Sequence, residues 1–285
     1  MPYLGNATLC DVIDHAFAGP GEPTEAGVIA EAIALAAARD AAVAGPAPEA
    51  VPASTGTYID GVLRLGVQLA EALAFIHELG ICHRDLKPSN VLMSSGGVPM
   101  LLDFNLSFDE RLDSARLGGT FPYMSPEQLH AFDRPGQPEA VPVDDRSDLF
   151  ALGVILFELL TGAHPFGPVS LKWSEKESQQ LLLERQRTGP RSLRALNPQL
   201  DRRLARLVQR CLAYDPHDRP RSAAELAAEL RGCLSPVQRL RALGSLRDAR
   251  GAISWRGRRL YACATCSLRR ATLPPGTGGI PAQGI

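Results

Sequence analysis

Two features are missing from the first 86 residues of this 285-residue chain: there is no lysine, and no segment reads Gly-x-Gly-x-x-Gly. The backbone amides of a glycine-rich loop and a lysine ammonium group are common means of holding nucleotide phosphates. The sequence therefore excludes a phosphate-gripping loop of this kind from this part of the chain.

The features of a secreted or membrane protein are missing as well. No basic segment followed by an apolar one opens the sequence, and the longest apolar run, 149–160, is interrupted by Glu158 and too short to cross a bilayer. Six cysteines spread over this length do not form the framework of a disulfide-rich domain. We expect a cytoplasmic protein without a membrane span, in which the cysteines are reduced.

Charge is unevenly distributed along the chain. The net charge is -1 and the sequence pI is about 6.6, so the molecule as a whole does not indicate a nucleic-acid partner. After Ser235, nine arginines stand against one acidic residue, a local balance of +8 that leaves -9 for the rest. Because apolar periodicity also fades there, we expect residues 235–285 to form a basic, disordered tail.

Residues 1–234 are predicted to form one α+β domain that is mainly helical. Apolar residues recur at helical spacing over 60–79, and 148–160 is apolar on nearly every face, as in a helix buried at the centre of a domain. Short apolar runs on either side of Ser-Ser-Gly-Gly predict a β-hairpin at 91–102. Further helices are predicted over 24–43, 200–212 and 222–234.

Residues from about 18 to 57 differ in composition from the rest of this domain. They are rich in Ala, Gly, Pro and Glu, and we interpret them as an insertion that includes the predicted helix 24–43.

The most specific segment is 83–90, which reads His-Arg-Asp-Leu-Lys-Pro-Ser-Asn. Phosphoryl transfer needs an aligned hydroxyl and cations that neutralise charge on the phosphate oxygens. Asp85, Lys87 and Asn90 bring a carboxylate, an ammonium group and an amide to this segment, and Asp103 follows the predicted hairpin. Each alone is explained as a turn or cap residue. The four in register resemble the catalytic residues of protein kinases, and that resemblance implies phosphoryl transfer.

On these residues, the region 1–234 resembles the hinge and C-terminal lobe of a eukaryotic-type serine/threonine protein kinase of the bacterial kind. The resemblance implies a kinase-like C-terminal lobe that uses ATP and Mg²⁺ and acts on serine or threonine hydroxyls of a protein substrate. It implies that Asp85 orients the substrate hydroxyl, that Lys87 stabilises the γ-phosphate, and that Asn90 and Asp103 coordinate Mg²⁺.

Landmarks further along the chain follow the order of the same family. The segment 122–127, Pro-Tyr-Met-Ser-Pro-Glu, resembles the end of an activation segment. The resemblance implies that Arg219 is the buried partner of Glu127, and that Asp148 ties down the catalytic-loop backbone. These are structural roles.

The resemblance also implies a mode of regulation. Arg84 directly precedes the catalytic aspartate, which in this family goes with phosphorylation of the activation segment, because an arginine can bind a phosphate bidentately. We expect Ser114 to be the phosphorylated residue. We expect Thr120 to have a structural role, bonding to Asp85 and Lys87. Asn105 replaces the glycine of the family's Asp-Phe-Gly motif.

The N-terminal lobe of such kinases has no counterpart in this sequence. If Met1 takes the gatekeeper position, the backbone of Pro2 and Leu4 faces adenine and Leu92 lies beneath it. We expect little or no activity from this chain alone. Either an upstream start codon was missed or the chain is a natural remnant, and the intact catalytic loop favours the first explanation.

Two other functions remain open at this stage. The chain could be a catalytically inactive, pseudokinase-like interaction module. A kinase-like small-molecule phosphotransferase shares the Asp and Asn spacing, but Lys87, the segment 125–127 and Arg219 argue against it. The Cys-x-x-Cys pair at Cys263 and Cys266 lacks a second pair at zinc spacing, so we do not predict a metal there. The sequence specifies neither the protein substrate nor the oligomeric state.

Overall fold

The computed structural model describes residues 7–41, 56–103, 121–133, 142–169, 173–234 and 262–263, the last pair by backbone alone. Within these segments the protein is mainly helical, as predicted. The α-helices are α1 Leu9–Ala16, α2 Gly27–Ala41, α3 Tyr58–Glu78, α4 Pro126–Asp133, α5 Arg146–Thr161, α6 Glu175–Thr188, α7 Leu193–Leu196, α8 Arg202–Cys211 and α9 Ala223–Cys233. Short 3-10 helices cover Pro88–Asn90, Phe121–Tyr123 and Pro216–Asp218.

Helix α5 is the centre of the core. Its residues from Ser147 to Phe157 are all buried, which confirms the helix predicted from an apolar run without a polar face. Helices α3 and α8 pack against it. Gly153 allows the contact with α8, because a Cβ at this position would lie 2.7 Å from the Cβ of Cys211.

Helix α3 delivers the chain to the segment 83–90. It begins with a capping box in which Thr57 Oγ1 accepts from the Asp60 amide and Asp60 Oδ2 accepts from the Thr57 amide, at 3.2 and 2.9 Å. The predicted apolar face is buried against α5 and α9. The buried residues of that face include Val62, Leu65, Leu69, Leu73 and Ile76.

Part of the predicted insertion is folded. Helix α2 lies at Gly27–Ala41, inside the predicted range 24–43, and packs against α1 and α3 with Ile29 and Ile33 buried. Residues 42–55 lie outside the described part of the chain.

A small antiparallel sheet carries the candidate site. Strands β1 Val91–Met93 and β2 Pro99–Leu101 form the predicted hairpin, with Leu92 opposite Met100. A third strand, β3 Ala262–Cys263, pairs with β2. The other residues of 235–285 lie outside the described part of the chain, so the expectation of a disordered tail stays a prediction. None of the described helices is long and apolar enough to cross a bilayer.

Candidate active site

The segment 83–90 is fixed to the core by one carboxylate. Asp148, on the first turn of α5 and 1 % exposed, accepts the backbone amides of His83 and Arg84, each at 2.8 Å. His77, on the last turn of α3, places Nε2 at 2.8 Å from the same carboxylate. The predicted contact between Asp148 and the loop backbone is present, and His77 adds a third hydrogen bond.

The three side chains predicted for chemistry within the loop lie together. Lys87 Nζ donates to both carboxylate oxygens of Asp85, at 3.1 and 3.0 Å. Asn90 Nδ2 donates to the Asp85 carbonyl at 2.8 Å and to its carboxylate at 3.0 Å. The side chains of Lys87 and Asp85 remain 19 % and 20 % exposed, so the cluster is accessible to a substrate.

Two residues of the site have left-handed backbone angles. Arg84 has φ 64° and Asp103 has φ 51°, a conformation that is uncommon for residues other than glycine. Such angles cost on the order of 1–3 kcal/mol and persist only where the surroundings impose them. Here Asp148 holds the Arg84 amide.

Asp103 comes to the site through the register of the hairpin. The Leu102 amide donates to the Asn90 carbonyl at 2.8 Å, which places Asp103 one residue beyond the partner of Asn90. Its side chain is exposed. In the described residues no group of three or more His, Cys, Asp or Glu could hold a metal ion by itself. A magnesium ion here would therefore need the Asn90 amide oxygen or oxygens from a bound phosphate, which Mg²⁺ accepts readily.

His83 and Leu92 stand on either side of this cluster in the sequence and differ in burial. His83 is fully buried, and burial lowers the pKa of its imidazole. Leu92 is half-buried on β1 and forms an isolated bridge with Thr8.

The predicted ion pair between Glu127 and Arg219 is present and buried. Arg219 donates from Nη1 and Nη2 to the two carboxylate oxygens of Glu127, at 2.7 and 2.8 Å, and Ser147 Oγ donates to the same carboxylate at 2.8 Å. Burial favours the neutral carboxyl, but the hydrogen bonds and charge of Arg219, with Ser147, outweigh it and hold the pKa of Glu127 below its ordinary value.

A second carboxyl, that of the half-buried Glu158, contacts the 3-10 helix Phe121–Tyr123. Tyr123 Oη donates to Glu158 Oε2 at 2.8 Å. Burial raises the pKa of Glu158 to about 7, although the Tyr123 bond works against this. His164 contacts the same turn through the Pro122 carbonyl, at 3.0 Å, and burial lowers its pKa to about 4.

Several predicted residues lie outside the described part of the chain. These are Pro2, Leu4, Ser114 and Thr120, together with Asn105. Their predicted contacts with adenine, phosphate and the catalytic loop therefore stay predictions.

Sequence reasoning missed two residues that contact the loop. His77 carried no signal beyond its place near the end of a predicted helix. Gln128 donates from Nε2 to the Arg84 carbonyl at 2.8 Å, and it stands three residues after Ser125. A serine followed three residues later by glutamine is a helix-start signature, which could have identified α4 from the sequence.

Comparison with known proteins agrees with this geometry. The profile of the family described as protein kinase domain matches residues 60–229. A probable serine/threonine-protein kinase of Streptomyces coelicolor is 30 % identical over 195 residues, which cover 65 % of this chain and 26 % of that protein. A serine/threonine-protein kinase of Myxococcus xanthus is 38 % identical over 174 residues, 57 % of this chain and 19 % of its own length.

A third relative is named for a different acceptor residue, tyrosine. The tyrosine-protein kinase MasK of Myxococcus xanthus is 34 % identical over 186 residues, which cover 61 % of this chain and 26 % of that protein. The chain thus spans about a quarter or less of the length of these relatives.

Proposed function

Since the chain belongs to the protein kinase domain family, which matches it over residues 60–229, we propose that it transfers the γ-phosphate of ATP to serine or threonine hydroxyls of a protein substrate. The observation that carries the proposal is the cluster of Asp85, Lys87 and Asn90, joined by hydrogen bonds of 2.8 to 3.1 Å at an accessible surface. The loop that holds the cluster is tied to the most deeply buried helix.

Asp85 is the residue proposed to act on the substrate hydroxyl. Its carboxylate is accessible and accepts hydrogen bonds from Lys87 and Asn90, and a carboxylate has lone pairs enough to accept one more donor. An acceptor hydroxyl bonded to this carboxylate would have its oxygen lone pair directed at the phosphorus. Positioned proton acceptors contribute about 10²–10⁴-fold to such reactions.

Lys87 is proposed to hold the transferred phosphate. Its ammonium group is a compact charge on a flexible stem, so it can contact a phosphoryl oxygen without a change in the backbone. Asn90 and Asp103 are proposed to hold Mg²⁺, since amide and carboxylate oxygens are the ligands that this ion prefers. Bound there, Mg²⁺ would neutralise charge on the phosphate oxygens.

The contacts of adenine are proposed for Leu92 and the backbone of Pro2 and Leu4. The bridge between Thr8 and Leu92 supports this assignment, because it sets the chain that follows Leu4 beside β1. With the two segments side by side, adenine could contact Leu92 and the backbone of Pro2 and Leu4 at the same time.

Serine and threonine are favoured over tyrosine as acceptors by Lys87. A lysine two residues after the catalytic aspartate is typical of serine/threonine kinases, and two of the three relatives described above carry that name. Regulation is proposed through Arg84 and phosphorylated Ser114, with Thr120 in a structural role.

The test is phosphoryl transfer by the purified full chain with Mg-ATP and a generic protein substrate, followed by analysis of the phosphorylated amino acids. We expect slow transfer to serine or threonine that disappears in Asp85→Asn. The rate is expected to be low because no lysine and no glycine-rich loop precede the catalytic loop in this sequence.

Three outcomes would contradict the proposal in whole or in part. Transfer that persists unchanged in Asp85→Asn would remove Asp85 from the reaction. Absence of transfer, combined with no shift of the melting temperature on adding Mg-ATP, would favour the interaction module. Phosphotyrosine as the main product would support protein kinase activity but contradict serine and threonine as the acceptor residues.

A further inference from the structure

The start of helix α4 contains a side chain with two separate tasks. Ser125 precedes the helix, and Gln128 Oε1 accepts both the Ser125 amide at 3.0 Å and the Ser125 hydroxyl at 3.1 Å. The Ser125 hydroxyl in turn accepts the Gln128 amide at 3.4 Å. This is a capping box, in which the oxygen of the glutamine side chain is fully used at the helix start.

The nitrogen of the same side chain points to the catalytic loop. Gln128 Nε2 donates to the carbonyl of Arg84 at 2.8 Å, across 44 residues of sequence. Arg84 is the residue with the left-handed φ of 64°. Its amide is bound by Asp148 and its carbonyl by Gln128, so both of its backbone polar groups are held by side chains from outside the loop.

The Arg84 carbonyl belongs to the peptide group that begins Asp85. Because a peptide group is planar, fixing its carbonyl oxygen also fixes its nitrogen and the direction in which Asp85 leaves it. On the other side of Asp85, its own carbonyl accepts from Asn90 Nδ2 at 2.8 Å. The two peptide groups that flank the Asp85 Cα are thus held by Gln128 on one side and by Asn90 on the other.

We infer that Gln128 is a positioning residue for phosphoryl transfer: it sets the Arg84–Asp85 peptide plane and couples it to the capped start of α4 at Ser125. The inference rests on the proposed role of Asp85 and extends it. Residues 121–125, which lead into α4, thus connect to the catalytic aspartate through one amide group. A displacement of Ser125 would pull on the Arg84 carbonyl.

The two tasks of Gln128 can be separated by substitution. In Gln128→Glu the carboxylate still accepts from Ser125, as glutamate does in many capping boxes, but it has no N–H for the Arg84 carbonyl. In Ser125→Ala the hydroxyl bonds are lost, while Gln128 retains its donor to Arg84. Gln209→Glu, at an exposed position of α8, is the control for the added charge.

The first measurement reads the bond itself and does not need activity. In protein labelled with ¹³C-carbonyl arginine and ¹⁵N aspartate, an HNCO spectrum contains only Arg-Asp pairs, which occur at 39–40, 84–85 and 247–248. We expect the 84–85 peak alone to move in Gln128→Glu, and none to move in Gln209→Glu. Should Gln128→Glu not fold, Gln128→Met, which also lacks the donor, takes its place with the same expected shift.

The second measurement is the rate of phosphoryl transfer. We expect Gln128→Glu to lower kcat about 10- to 100-fold, since misplacement by about 1 Å costs rates of this order, with KM for ATP changed less than about twofold. Ser125→Ala should lower the melting temperature and change kcat less than Gln128→Glu.

An unmoved 84–85 peak, or a moved peak with kcat at the wild-type value, would overturn the inference. If wild type shows neither transfer nor a shift of the melting temperature with Mg-ATP, the proposed function fails, and the peak alone decides whether Gln128 sets this peptide. The failures of the two proposals are therefore distinguishable.

Discussion

Two of the ion pairs in the described residues, Glu127 with Arg219 and Asp85 with Lys87, differ in their exposure and in the geometry of their donors. Glu127 and Arg219 have side chains only 2 % and 0 % exposed, whereas Asp85 and Lys87 are 20 % and 19 % exposed. Arg219 also donates to three backbone carbonyls, those of Ala213, Arg146 and Tyr214.

The difference explains the choice of cation. The planar guanidinium of Arg219 offers several donors in fixed directions, and its Cζ lies 4.9 Å from the centre of the Phe150 ring, so it joins several segments in one arrangement. Lys87 carries a single rotatable ammonium group, which can leave the Asp85 carboxylate and bind a phosphate instead. The buried pair stabilises the fold, and the exposed pair is available for chemistry.

The largest effect is expected from breaking the buried pair. Arg219→Met would leave Glu127 as an unpaired buried carboxylate and remove the donors to three carbonyls, so the free energy of unfolding should fall by about 3–5 kcal/mol. Urea denaturation followed by circular dichroism measures this. A loss below about 1 kcal/mol would mean that the pair is not structural.

Asp148 is an intermediate case, because it is buried like Glu127 but serves the catalytic loop. Asp148→Asn replaces one acceptor oxygen by an N–H group that faces backbone amides, and hydrogen bonds to charged groups contribute about 1.5–3 kcal/mol. We expect a loss of about 2 kcal/mol in the same denaturation experiment, together with reduced transfer. Unchanged transfer at full folding would contradict the role given to Asp148.

A smaller effect is expected from the half-buried carboxyl of Glu158, and it depends on pH. Its folded-state pKa of about 7 lies above the ordinary value of 4.5 for a glutamate carboxyl, so the folded state binds more protons than the unfolded state between these values. Stability from this group is complete below pH 4.5 and is lost as the pH rises through 7. Glu158→Gln, which stays neutral, should remove this loss.

The quantity to measure is the difference in unfolding free energy between wild type and Glu158→Gln. It should change by on the order of 2 kcal/mol between pH 5 and pH 8, with wild type weaker at the higher value. Burial lowers the pKa of His164 to about 4, so its contribution to stability is lost as the pH falls below 6.5. Because His164 is present in wild type and in Glu158→Gln, this contribution cancels in the difference. A difference that does not vary with pH would contradict the prediction.

The smallest change in stability is expected at the exposed pair. Lys87→Met should alter the free energy of unfolding by less than about 1 kcal/mol, because partly exposed ion pairs contribute little. Phosphoryl transfer should nevertheless fall strongly, since the ammonium group is proposed to contact the phosphate. A loss of stability as large as that of Arg219→Met would mean that the pair of Asp85 and Lys87 is also structural, and would contradict the distinction between the two pairs.

Much of the fold could be predicted because its signals are local. The buried helices α3 and α5 follow from apolar spacing within one segment, and the cluster of Asp85, Lys87 and Asn90 follows from eight contiguous residues. The pair of Glu127 and Arg219 lies 92 residues apart and was accessible through family resemblance alone.

The parts that were missed have weak or distant signals. Helix α6 is largely polar, so apolar periodicity does not show it, although the capping box of Ser174 and Glu177 marks its start. The contact between Tyr123 and Glu158 has no local pattern, because each residue is ordinary within its own segment. The pairing of β3 with β2 involves two residues, too few for a strand pattern to appear.

The attachment of the loop to Asp148 has a consequence for motion over minutes to hours. Loop amides usually exchange with deuterium quickly, but those of His83 and Arg84 are bonded to a carboxylate on a helix that is buried on all sides. Their exchange requires these two hydrogen bonds to break. We therefore expect both amides to exchange more slowly than ordinary loop amides, because their acceptor lies on the buried helix α5.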